Sequence, residues 1–230
     1  QMKKGATPES IQERARKRAI RAEQAAAEAE RLKVLKNRVE EVIANDPRLA
    51  QYKSQIQLDM TAEGLRIQIV DDQNRPMFDS GNAEVKGYMY EILQAIGAVL
   101  SVVPNHLTIE GHTDAKPFIG GERGYSNWEL SADRANASRR VLITGGLQPD
   151  KVLRVQGLAS SVPYERNEPM SPLNRRISII VMNRQAEDRM FNVTEVEDEE
   201  PLPAEGQAPP APVTSLPSPI KPLSPPSDRR

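Results

Sequence analysis

The run Gly111-His112-Thr113-Asp114 closes a short alternating apolar stretch and opens a glycine-rich loop, which puts a carboxylate at the mouth of a candidate strand. A carboxylate there can act as a base, a metal ligand, a turn cap or half of an ion clamp. Metal or hydrolytic chemistry is poorly supplied: His106 and His112 are the only histidines, cysteine is absent, and neither histidine stands at a metal-ligand spacing. No Gly-x-Ser-x-Gly elbow occurs, and Gly120-Gly121 lacks the Lys-Ser/Thr that a phosphate loop needs. The expectation is a non-enzymatic chain with no catalytic residue, metal or cofactor.

A second residue breaks its local pattern. At about 100° per residue, Leu130, Arg134, Ala137 and Val141 fall in one sector of a candidate helix, so an arginine sits on an apolar stripe. A guanidinium leaves water only if its donors are satisfied, by an internal carboxylate, by carbonyls or by an anionic ligand; snorkelling at the edge of the stripe is the other option. In a strand–loop–helix unit, Asp114 and Arg134 can share one side of a cleft. Such a pair suits a zwitterion, the carboxylate taking an ammonium and the guanidinium a carboxylate.

The elements that must hold these two follow from periodicity. Residues 8 to 45 read as a helix in which Leu32, Leu35, Val39 and Val42 are spaced 3, 4, 3; the stripe can lean on its own domain or form a dimer seam. Asp46-Pro47 ends it. Ile56, Leu58, Met60 and Leu65, Ile67, Ile69 predict a hairpin with one buried face. A helix is expected from near Asn82 to Pro104, a strand over Leu107 and Ile109, and a helix opened by the capping box Ser126-Asn127-Trp128-Glu129 and stopped at Gly145-Gly146. Val152 to Gln156 and Ile177 to Val181 complete the strands. The order predicts an α+β two-layer sandwich, a mixed sheet with helices on one face, preceded by a long N-terminal helix.

Three stretches, Gly111-His112-Thr113-Asp114, Leu130-Ser131-Ala132-Asp133-Arg134-Ala135 and Asn174-Arg175-Arg176-Ile177, resemble in order the motifs of OmpA-like peptidoglycan-binding domains. The continuation Ala115-Lys116-Pro117-Phe118, followed by Tyr125 to Ser131, is similar to the flagellar stator members of that family. The resemblance implies non-covalent binding of the diaminopimelate-containing stem peptide of peptidoglycan, with Asp114 and Arg134 on the ligand. Thr113, Asn127, Leu130 and Ser131 would line the pocket, and Asn174 and Arg175 would either contact ligand or brace the last strand. It also implies a periplasmic module of an inner-membrane protein of a Gram-negative bacterium that anchors the motor stator to the cell wall, with a membrane channel subunit as partner. The chain departs from the compact pattern in the eleven-residue loop from 115 to 125.

Composition sets the remaining bounds. With a formal net charge of -1 and no basic stripe interleaved with aromatics, nucleic acid is not an expected partner. Ten of nineteen prolines lie in the last thirty residues, and Glu187 to Glu200 holds seven acids against one arginine. The expected organisation is therefore a charged helical linker over 1–49, a domain over 50–185, and an acidic then proline-rich disordered tail over 186–230. No apolar run reaches membrane-spanning length. Opening at Gln1 inside charged sequence, the chain reads as a fragment of something longer. A single clamp of three or four charge-assisted hydrogen bonds holds a stem fragment at about micromolar to millimolar strength, so a homodimer on a polymeric wall is expected. A different class of protein, a scaffold adaptor acting through residues 8–45 and the proline-rich tail, would keep its activity without Asp114.

Overall fold

A computed structural model describes residues 8–72, 75–119 and 124–191. The 192–230 tail and the glycines at 120 and 121 lie outside the described residues. Helix α1 runs Pro8–Asn45, and its buried residues are Leu32, Leu35, Val39 and Ile43. The spacing is 3, 4, 4, with Val42 only half-buried, so the stripe follows the 3.6-residue period of a helix lying on a globular core rather than the 3.5-residue period of a coiled-coil seam. These side chains join the main core with Ile67, Ile69 and Ile96. A one-turn helix, α2 (Pro47–Ala50), follows; Asp46 caps it by accepting the Arg48 N–H at 2.9 Å, and Pro47 fits its first turn because no N–H is needed there.

Strands β1 (Ile56–Thr61) and β2 (Gly64–Val70) form the expected hairpin, but not with a single buried face: β2 is buried on both faces, and Met60 near the end of β1 is exposed. Helix α3 (Gly87–Leu100) begins later than Asn82. The Asn82 side chain accepts the Glu84 N–H at 2.8 Å, Phe78 and Val85 pair as an isolated bridge, and Lys86 forms an ion pair with Asp79. Local side-chain bonding thus holds the preceding segment out of the helix. Strand β3 (Leu107–His112), helix α4 (Asn127–Thr144), β4 (Val152–Gly157) and β5 (Arg176–Met182) complete the plan, and the capping box on α4 is present in both directions.

The sheet order is β1-β2-β5-β3-β4, with β3 and β4 parallel and all other pairs antiparallel. Ile67, Ile69, Ile109, Ile177 and Ile179 project to the face covered by α1, α3 and α4, where alternation along each strand collects them into one core. An element absent from the sequence reading, α5 (Arg184–Phe191), lies on the opposite face, with Ala186 and Met190 against Ile180, Met182 and Leu153. Residues 186–191, expected to open a disordered tail, are therefore helical. Glu187 accepts the His106 N–H at 2.8 Å, and Glu28 of α1 accepts the Arg184 N–H on both oxygens, at 2.9 and 3.0 Å. No helix among the described residues is long and apolar enough to cross a membrane.

Candidate functional site

Sheet topology dictates where the charges meet. Strand β5 lies between β2 and β3 and runs against both, so its entry is flanked by the exits of its two neighbours. Val70 pairs with Arg176 on one side and His112 with Arg176 on the other. The next residues outward are Asp71, Arg175 and Thr113-Asp114. Arg175 accordingly donates from Nε to Asp71 Oδ2 at 2.7 Å and from Nη1 to Asp114 Oδ2 at 2.8 Å. Asp71 Oδ1 accepts the Met77 N–H at 2.6 Å, while Asp114 Oδ1, among the described residues, accepts only a long bond, 3.3 Å, from the Lys116 N–H. Burial pushes the Asp71 carboxyl above its usual range, against the pull of Arg175 and the Met77 amide. For Arg175 burial works the other way, but its bonds to Asp71 and Asp114 prevail and hold the guanidinium more firmly protonated.

Arg134 comes to the same region from α4 and is 8% exposed. Its Nε donates to the Asn82 carbonyl at 2.9 Å and its Nη2 to the Asp79 carbonyl at 3.3 Å, and the guanidinium lies 5.0 Å from the centre of the Phe78 ring. Among the described residues it has no carboxylate at ion-pair distance. Burial lowers its pKa, with Asp71 and Asp114 acting against this and Arg175 with it. Asp114 and Arg134 thus sit in one buried cluster with no direct bond between them, Asp114 being paired with Arg175, and Arg134 being stabilised by carbonyl dipoles and an aromatic face but not neutralised.

The other residues singled out from sequence divide by what they touch. Thr113 is buried, its N–H bonded to the Ala159 carbonyl at 2.9 Å and its hydroxyl without a partner among the described residues. The Asn127 side chain donates to the Lys116 carbonyl at 2.8 Å and so fixes the start of the 115–125 loop against α4. Leu130 is buried in α4. Ser131 is fully buried; its hydroxyl donates to the Trp128 carbonyl at 2.9 Å and accepts the Ala159 N–H at 3.0 Å. Asn174 is also buried: its oxygen accepts the Glu165 N–H at 2.7 Å and its amide donates to the Glu168 and Pro169 carbonyls at 2.8 and 3.1 Å. Ser131 and Asn174 therefore shape the loops around the cluster.

His112 is 3% exposed, on the sheet face turned away from α4, and burial lowers its pKa despite Glu110 at 3.7 Å. No group of three or more His, Cys, Asp or Glu side chains among the described residues could hold a metal ion. A cavity of about 460 Å³ lined by Ser54, Gln55, Asp71, Asp72 and Glu168 meets the cluster only through Asp71 and includes neither Asp114 nor Arg134.

Asp71, Phe78, Asp79 and Asn82 were not marked by the sequence reading. Two of them contribute backbone carbonyls, which residue type does not report, and Asp71 meets Arg175 across 104 positions of chain. The one usable signal was Arg134 itself, whose place on an apolar stripe required partners.

Residues 77–175 match the model of the OmpA family. Motility protein B of Escherichia coli K12 is 47% identical over 191 residues, which is 83% of this chain and 62% of that protein; the chain thus spans less than two thirds of the relative's length. Among solved structures, a MotB-like protein of Desulfovibrio vulgaris superposes with a TM-score of 0.56 at 17% identity, covering 70% of this chain and 99% of that one. The periplasmic domain of Helicobacter pylori MotB does so with a TM-score of 0.50 at 20% identity, covering 63% and 90%. At these identities the two structures speak for the fold alone.

Proposed function

We propose, from the match of residues 77–175 to the OmpA family, that the chain binds peptidoglycan non-covalently through the diaminopimelate residue of the stem peptide. Asp114 takes the ligand's ammonium and Arg134 its carboxylate. The observation that carries this reading is Arg134: a buried guanidinium bonded to two carbonyls and stacked on Phe78, with no carboxylate at ion-pair distance among the described residues, is a cation held ready for an external anion. Thr113, Asn127 and Leu130 contribute walls and loop placement, and neither acid-base catalysis nor a cofactor is needed.

In the same proposal the chain is the wall anchor of a flagellar motor stator, periplasmic and part of an inner-membrane protein. It reaches its channel partner subunit, MotA, through a membrane segment upstream and works as a homodimer. One clamp is too weak to hold against mechanical load, and two clamps on one polymer raise the effective concentration of the second. With Leu32, Leu35 and Val39 spent on the domain's own core, the dimer contact lies on other surfaces.

The test is a pull-down on purified sacculi with the wild-type chain, Asp114→Ala and Arg134→Ala, each confirmed as folded by circular dichroism. Binding lost in both folded variants is expected. Undiminished binding in both would make the cluster purely structural.

A further inference from the structure

The clamp contains one charged group more than a two-point zwitterion site needs on each side. Asp114, the residue expected to meet the ligand's ammonium, is already occupied by Arg175. An ammonium that takes Oδ2 of Asp114 replaces that contact, so the fate of the displaced guanidinium helps to set affinity. The geometry supplies an answer. Arg175 presents different edges to its two carboxylates, Nε to Asp71 at 2.7 Å and Nη1 to Asp114 at 2.8 Å, so it can release one without releasing the other. The two carboxylates are not equally fixed. Asp71 is held by the Met77 N–H on its second oxygen and by its own N–H on the Arg175 carbonyl at 2.9 Å, whereas the Asp114 side chain, among the described residues, has only the 3.3 Å bond from the Lys116 N–H besides Arg175.

We infer that Asp71 is a positioning residue of the ligand site: it retains Arg175 by the Nε edge while the ligand's ammonium replaces Nη1 on Asp114. This rests on the function proposed above. A half-buried guanidinium with Asp114 as its sole carboxylate would stay there as a fixed counter-ion, because leaving would cost it its partner. With Asp71 in place, the exchange leaves one guanidinium on one carboxylate and one ammonium on the other, and no buried charge is stranded. Side-chain exposures of 7% for Asp71 and 9% for Asp114, against 24% for Arg175, place both anions deeper than the cation that moves between them.

The experiment measures affinity by calorimetry for the tripeptide L-Ala-γ-D-Glu-meso-diaminopimelate and for the same peptide with its side-chain amine acetylated, using the full 230-residue chain. Proteins are wild type, Asp71→Asn, Arg175→Ala, the double variant and Asp114→Ala, each with its Tm recorded. Asp71→Asn is expected to weaken the free-amine peptide about tenfold, the worth of one charge-assisted contact, to leave the acetylated peptide unchanged, and to add nothing in the Arg175→Ala background. A merely structural role for Asp71 would instead lower both peptides together, with or without Arg175, and that result overturns the inference. So does wild-type affinity in Asp71→Asn when Asp114→Ala has abolished binding, an outcome that leaves the clamp itself intact. Full binding by Asp114→Ala would remove the clamp and this inference together. If Asp71→Asn does not fold, Asp71→Ser is read by the same criteria.

Discussion

Gly111 is where strand and helix come closest behind the site, and replacing it with alanine tests whether that approach sets the site's geometry. A Cβ at Gly111 would lie 2.0 Å from the Ser131 carbonyl oxygen and 2.9 Å from its carbon, both backbone atoms of α4. Carbon–oxygen contacts settle near 3.3 Å, so α4 must retreat by about 1 Å where it carries Ser131 and, one turn on, Arg134. Overpacking of this kind costs about 3 kcal/mol. In a domain of this size that lowers Tm by roughly 6–12 °C. The same shift moves Arg134 relative to Asp114, which follows Gly111 in the chain, beyond the roughly 0.5 Å that a binding constellation tolerates. Sacculus binding measured well below Tm is therefore expected to fall about tenfold. Gly87→Ala, where an added Cβ meets nothing within 4 Å, is the control and should change stability by no more than about 0.5 kcal/mol. A Gly111→Ala protein that melts and binds like wild type would refute the claim that this contact sets the clamp.

Other outcomes follow from single contacts. Ser131→Ala removes the acceptor of the buried Ala159 N–H, so a loss of about 1–3 kcal/mol in urea unfolding is expected. His112 carries a pH effect whose sign is fixed by burial: its folded pKa lies below the ordinary 6.5, so between those two values the unfolded chain takes up a proton that the folded chain does not, and stability falls as pH drops. Tm recorded from pH 7.5 to 5 should decline, and His112→Gln should flatten that decline. The Glu110 carboxyl, which burial raises but its contact with His112 brings below the ordinary 4.5, acts in the same direction in that lower window.

Much of the scaffold was legible because it rests on local periodicity. Alternation in 56–69, the capping box at Ser126 and the double glycine after Thr144 each reflect a backbone need that residue type meets directly. The start of α3 was misplaced because Asn82 and Lys86 bond to near neighbours in a non-helical loop, a competition that hydrophobic spacing does not register. Residues 186–191 looked like an acidic tail, yet Ala186 and Met190 find an apolar patch on the far face of the sheet. Acidic composition predicted solvation, and burial of Ala186 with partial burial of Met190 overrode it.

For the site, sequence alone determined which ions are present: an aspartate at a strand end and an arginine on an apolar stripe, neither free to be buried without partners. Only the tertiary structure decided who those partners are. By inserting β5 between β2 and β3, the fold brings Arg175 between Asp71 and Asp114, leaving Arg134 to backbone carbonyls and Phe78. Strand order is a long-range property, set by which apolar faces bury best together, and no local spacing of charges encodes it.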